Sequence, residues 1–180
     1  MFFYQHGMMF DYRGQKGDLD DIASNYDYAL TASSVEEVSS STFTLSSGLY
    51  FSSMQSIFKF TLKDSEGAEL NASKLVVQSK AVVDDSEQDL LVQCFDPSQI
   101  GLFGDGGLTG PIEVTPEAPT SVFFVALTAV GEYGPMSGMM DKPFALTATV
   151  GGDTYTYSTD AFSFYTDSYN VYDVKMTKQE

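Results

Sequence analysis

From Thr42 onward the dominant spacing of apolar residues is two. In Ile57–Lys63, Phe58, Phe60 and Leu62 share one face while Lys59, Thr61 and Lys63 share the other, which predicts a half-buried strand. Asp64-Ser65-Glu66-Gly67 supplies a turn, and Leu75-Val76-Val77 reads as the next short strand. Residues 84–89 are acidic and polar, a loop or an exposed edge, and Leu90-Leu91-Val92 resumes pairing. Val122–Leu127 is apolar on both faces, which predicts a central strand. Phe144, Leu146, Ala148 and Val150 alternate with Ala145, Thr147 and Thr149. Gly151-Gly152-Asp153 then turns the chain into Thr154-Tyr155-Thr156-Tyr157, the clearest hairpin signal in the chain. A last strand runs from Tyr169 to Thr177 and puts Tyr172, Val174 and Met176 on one face, with Asp173 and Lys175 pointing outward. The Gly- and Pro-rich stretch from Asp96 to Pro119 reads as mostly connection, and the segment from Gly131 to Asp141 as a loop.

Residues 1–31 differ. Phe2, Phe3, Tyr4, Phe10, Tyr12, Tyr26 and Tyr28 stand among Gly and Asp. Asp18–Ser24 predicts one short helical turn, capped by Asp18, with Leu19 and Ile22 as its apolar face. The chain divides accordingly into an N-terminal segment over 1–31 and a sandwich domain over 32–180. Many short strands separated by turns, with little helix, predict an all-β fold, an antiparallel β-sandwich.

Composition narrows the function. Nine basic against twenty-five acidic residues give a net charge of −16, and Arg13 is the sole arginine. Such a chain does not bind nucleic acid through phosphates. No run approaches the roughly 18 apolar residues of a membrane-spanning helix. Met1–Gly7 lacks the basic and apolar regions of a signal peptide. Two alternatives stay open there: a leader removed ahead of residue 1, or a cytoplasmic protein.

The candidate chemistry is sparse. Cys94 is the only cysteine and His6 the only histidine, so no multi-Cys or His-rich metal site is expected. His6 has no accompanying nucleophile motif, and Cys94 reads as a small buried hydrophobe. Gly104-Asp105-Gly106-Gly107 lacks the Lys-Ser/Thr ending of a phosphate loop. Asp18, Asp20 and Asp21 lack the spacing of an EF-hand and fit a helix N-terminus better than calcium ligation. Asn71-Ala72-Ser73 matches a glycosylation sequon. Tyr155 and Tyr157 are the candidates for stacking on a sugar, weighed against cross-strand packing. The reading predicts no catalytic residue, no metal site and no cofactor.

One longer pattern remains. Tyr12-Arg13-Gly14-Gln15-Lys16-Gly17, followed by Tyr26-Asp27-Tyr28, resembles the Tyr-x-Gly-Gln-x-Gly … Tyr-Asp-Tyr stretch of fimbrillin-like proteins of Bacteroidales-type bacteria. The segments Gln55–Leu62, Val122–Leu127, Phe144–Tyr157 and Tyr169–Met176 are similar to that family's later strands. The resemblance implies Greek-key sandwiches of transthyretin-like or immunoglobulin-like type, with residues 1–31 as the remnant of a first domain or an extension from it. It also implies a non-catalytic adhesin or pilus-related component at the extracellular or outer-membrane surface. Its partners would be other fimbrial subunits or a host or bacterial surface ligand, with no transmembrane segment in this chain. Tyr172, Val174 and Met176 on the C-terminal strand would then serve either strand exchange or the packing of an ordinary terminal strand within its own chain. The chain departs from the family in being short, in lacking a lipobox cysteine near its start, and in lacking an Arg-based processing site.

Overall fold

The computed structural model describes residues 9–31, 35–39, 42–45, 51–83, 85–96, 107–131, 134–135 and 138–180. Along the chain the elements are β1 (Phe10–Asp11), α1 (Leu19–Asn25), β2 (Ala29–Thr31), β3 (Val35–Ser39), β4 (Thr42–Leu45), β5 (Phe51–Ser53) and β6 (Ser56–Lys63). Then come β7 (Lys74–Gln78), β8 (Lys80–Val83), β9 (Ser86–Asp89), β10 (Val92–Phe95), β11 (Gly107–Thr109), β12 (Ile112–Val114) and β13 (Val122–Leu127). The remainder is β14 (Val130–Gly131), β15 (Gly134–Pro135), β16 (Met139–Val150), β17 (Asp153–Phe164), β18 (Tyr169–Lys175) and β19 (Thr177–Lys178).

Two sheets enclose the main core, which makes the fold an all-β sandwich. One has the order β12-β7-β16-β17-β19 and the other β13-β6-β18. The period-two pattern explains which residues meet between them. The inward positions of β6 (Phe58, Phe60, Leu62), of β7 (Leu75, Val77) and of β16 (Phe144, Leu146, Ala148) are all nearly inaccessible to solvent. The rings of Phe144 and Phe162 stack at 4.0 Å between centroids, and Phe164 meets Phe58 edge-on at 5.1 Å. The β16–β17 hairpin closes at the pair Val150 and Asp153. Gly151 and Gly152 both take positive φ, 58° and 96°, as a two-residue turn matched to strand twist requires.

Pairing in the two sheets is antiparallel with one difference: β18 runs parallel to β6, with Tyr169 beside Ile57 and Lys175 beside Lys63. The cause is local. β17 ends next to the start of β6, and only residues 165–168 connect it to β18, so β18 must start at the same end as β6. This corner is held by Ser56 Oγ donating to the Tyr165 carbonyl and by Asp167 N–H donating to the Gln55 carbonyl. Met176 then carries the chain into the other sheet, where β19 pairs with β17.

Two further expectations are corrected and one is refined. The stretch from Asp96 to Pro119 contains β11 and β12, and β12 forms an edge of the larger sheet. Val122–Leu127 lies at the edge of its sheet, although it is largely buried there. In α1, Asp18 does cap the helix by accepting from Asp21 N–H at 2.7 Å, but Leu19 is 47% exposed and Ile22 alone supplies the apolar contact. Within the acidic stretch read as a loop or an exposed edge, Ser86–Asp89 forms an exposed edge, β9, paired with β8.

Candidate functional site

A sandwich has open sides wherever its sheet edges end, and the two sides of this one are treated differently. On the first side β12 and β13 are the outer strands. Both are engaged by one residue of the N-terminal segment. Gln15 pairs through its backbone with Val114, its carbonyl accepting from Thr115 N–H at 2.9 Å. Its side-chain amide faces β13, where Nε2 donates to the Ala126 carbonyl at 2.8 Å and Oε1 accepts from Ala126 N–H at 2.8 Å. A primary amide presents one acceptor and two donors in a plane, so Gln15 imitates a strand neighbour. Nε2 gives its other hydrogen to the Tyr12 carbonyl, also at 2.8 Å. The residue is only 1% exposed.

The neighbours of Gln15 serve the same closure. The Gly17 carbonyl accepts from Phe124 N–H at 2.9 Å. Gly17 has φ +82°, and a Cβ there would lie 3.0 Å from Val114 Cγ1 and 3.2 Å from Phe123. Close backbone approach and a left-handed conformation both demand glycine. Tyr26 Oη donates to the Arg13 carbonyl at 2.8 Å, and Tyr28 Oη donates to the Asp11 carbonyl at 3.1 Å. Phe10 stacks on Tyr28 at 4.5 Å and Tyr12 meets Tyr28 edge-on at 5.4 Å. The Tyr-x-Gly-Gln-x-Gly … Tyr-Asp-Tyr pattern is thus an edge seal, and Phe10, Tyr12, Ile22 and Tyr26 belong to one hydrophobic cluster with the sandwich.

Burial pushes the Tyr26 hydroxyl up to about 12, with the charge of Asp21 adding to the effect. Burial likewise holds Tyr12 far above the ordinary phenol range. A raised pKa means that the folded state resists forming tyrosinate. Its contribution is fully present below the ordinary value of 10.0 and is lost as pH rises through about 12. In an alkaline spectrophotometric titration, Tyr12 and Tyr26 are therefore expected to ionise late and together with unfolding. A complement of tyrosines titrating entirely near pH 10 in folded protein would contradict this.

The second side is open. In the β13-β6-β18 sheet, β18 is the outer strand, and it pairs with β6 over seven residues without a register shift. Ile57 N–H donates to the Ser168 carbonyl, and Met176 N–H donates to the Lys63 carbonyl. By the alternation of a parallel ladder, the even-numbered residues of β18 bond to β6. Tyr169, Val171, Asp173 and Lys175 then turn their N–H and C=O groups away from it. Among the described residues no strand pairs with that outer edge. Tyr169 and Val171 are each 59% exposed. Inward, Val174 and Met176 are buried, and Tyr172 is half-buried, stacked on Phe58 and Phe60.

The remaining candidates separate as follows. Tyr155 and Tyr157 stand opposite the fully buried Ala148 and Leu146. Directly opposed residues share a face, so both tyrosines lie against the core. Asp21 accepts from Lys16 N–H at 2.7 Å and from Asn25 Nδ2 at 2.9 Å, which makes it part of the helix cap. Among the described residues no three His, Cys, Asp or Glu side chains converge as a metal site would require. Cys94 is half-buried on β10 rather than fully enclosed. Asn71 is exposed, while Ala72 of the sequon is fully buried and bridged to Thr120. His6, Gly104, Asp105 and Gly106 lie outside the described residues. A shallow hollow beside Gln15 is lined by Arg13, Gln93 and Glu113. Arg13 binds Asp11 through Nε and an Nη and Glu113 pairs with Lys74, so its charged groups are already engaged. Asp11 is held below the usual carboxylate range by that guanidinium.

Among the described residues no helix is long and apolar enough to cross a membrane. No protein-family model, curated protein or solved structure matches the chain.

Proposed function

We propose that this protein is a non-catalytic structural or adhesive component of a cell surface, of fimbrillin type, that works by joining strands with a neighbour. The observation that carries the reading is the uninterrupted, exposed edge of β18 on a sandwich whose opposite side is sealed. An open edge accepts an extended segment through main-chain bonds, and side chains at alternate positions select the segment. The motif Tyr12–Gly17 with Tyr26–Tyr28 supports the same reading through its resemblance to the fimbrillin-like pattern. It supplies the rigid closure that a load-bearing sandwich needs. In this reading Tyr172, Val174 and Met176 anchor the strand on which joining occurs, and the partner is another surface subunit or a surface ligand.

The test is topological. Antibodies raised against the folded chain should label intact cells of the native host, and external protease should remove that labelling. Labelling that appears only after cell lysis would overturn the proposal.

A further inference from the structure

We infer that the open edge of β18 pairs with the β18 of a second copy of this chain, antiparallel about a twofold axis through Val171, to give one continuous six-stranded sheet. This rests on the reading of β18 as a joining edge and names the occupant. Natural edges are usually blunted by charged side chains, proline, a bulge, short length or a covering segment, and of these β18 has only the charges of Asp173 and Lys175. β18 is seven residues long, has no proline and shows no register irregularity. The other edge of the same sheet is covered by Gln15 and Gly17. Among the described residues, the edge of this sheet left without a covering segment is thus β18 alone.

The side chains make that edge self-complementary. Lys63 and Lys175 are direct neighbours across β6 and β18, and Lys63 already binds Asp173 at 2.7 Å. Lys175 has no such ion pair among the described residues. Asp167 is exposed just ahead of β18, its backbone held at φ 61°. In a twofold pairing centred on Val171, the two Val171 side chains meet, Tyr169 faces Asp173 of the other copy, and Lys175 faces Asp167. Tyr169, Val171 and Asp173 all turn their backbone groups outward, so the register satisfies their hydrogen bonds as well, while Asp167, whose N–H already donates to the Gln55 carbonyl, contributes its charge alone. The outer face of the sheet also carries Lys59, which sits 5.9 Å from the centre of the Phe124 ring. Lys59, Lys63 and Lys175 stand against Asp167 and Asp173, so charges of both signs are nearly balanced here in a chain of net charge −16. With opposite charges interspersed at this edge, the −16 of the rest of the chain opposes association little, since charges farther apart than about 8 Å are screened at physiological salt. An isologous contact of this kind closes as a dimer, and its modest area implies a weak, concentration-dependent one.

The experiment is sedimentation velocity of the full chain over a wide concentration range at physiological ionic strength. The wild type should shift from 19.7 kDa toward twice that mass. Asp167→Lys and Lys175→Asp should each weaken association about tenfold, because each places like charges opposite one another at both ends of the interface. Mixed in equal amounts, the two variants should associate with each other, because the mixed pair restores opposite charges at both ends. Val171→Pro removes an outward N–H without touching the β6 ladder and should leave a monomer with an unchanged circular dichroism spectrum. If that variant misfolds, the mixing result decides alone. A wild type that stays monomeric throughout, or variants that fail to prefer each other, would overturn the inference. A monomer still found on the cell surface leaves the functional proposal standing, whereas a dimer found only inside cells removes that proposal and not this one.

Discussion

Deleting residues 169–180 abolishes the cooperative thermal transition: this is the largest effect expected of any change to the chain. The deletion strips β6 of its parallel neighbour and removes Val174, 4% exposed, and Met176, 1% exposed, from between the sheets. It also removes Tyr172, whose ring stacks on Phe58 at 6.2 Å and on Phe60 at 6.0 Å. Burying a large apolar side chain contributes roughly 1.5–3 kcal/mol, and a domain is stable by only about 5–15 kcal/mol in total. Three such residues lost together remove about 4.5–9 kcal/mol, comparable with the whole stability of a domain, and one edge of β6 is left unpaired as well. A single Met176→Ala change should cost about 2–5 kcal/mol, while Val171→Ala, on the solvent face, should stay within about 0.5 kcal/mol. Circular dichroism melts of the three variants check the ranking. A truncated chain that melts like the full one would remove the packing argument and the role given to β18.

Gln15→Ala is expected to be the most damaging substitution of a polar residue. It leaves Ala126 N–H, the Ala126 carbonyl and the Tyr12 carbonyl without the partners they now have in a buried setting. Each buried polar group left unsatisfied costs about 1–3 kcal/mol, so a loss of about 3 kcal/mol or more in urea denaturation is expected. Gln15→Glu should be worse at neutral pH, because a carboxylate would face two carbonyl oxygens. Burial raises the pKa of such a glutamate, so its destabilisation is present above the ordinary value of about 4.3 and relieved as pH falls below it. Relative to wild type, Gln15→Glu should therefore recover on acidification and Gln15→Ala should not. A Gln15→Ala loss below 1 kcal/mol would show that the edge of β13 does not depend on this amide.

The elements legible in the chain were those with long, regular patterns. Phe58, Phe60 and Leu62, and Phe144, Leu146 and Ala148, alternate without interruption, and both runs are strands facing the core. The Gly151-Gly152 turn was legible because two consecutive positive φ angles leave few residue choices. β12 was not, since three residues flanked by Pro111 and Pro116 carry too little pattern to separate a strand from a loop. Leu19 was misplaced for a related reason: a seven-residue helix has one contact face, and Ile22 with the cap already orients it.

The sequence by itself determined the all-β class, the inward and outward faces of β6, of the Phe144–Val150 part of β16 and of β18, the hairpin and the Asp18 cap, because these depend on contacts within a few residues or on a strict period. The edge-sealing role of Gln15 was invisible there, since its partners lie 111 residues away and a glutamine in a Gly-rich stretch looks like any loop residue. The parallel direction of β18 was equally hidden, because alternation records which face a side chain takes and nothing about the direction of the neighbouring strand. Only the tertiary structure, by placing the end of β17 beside the start of β6, decided that direction, and with it which edge of the sandwich has no strand partner among the described residues.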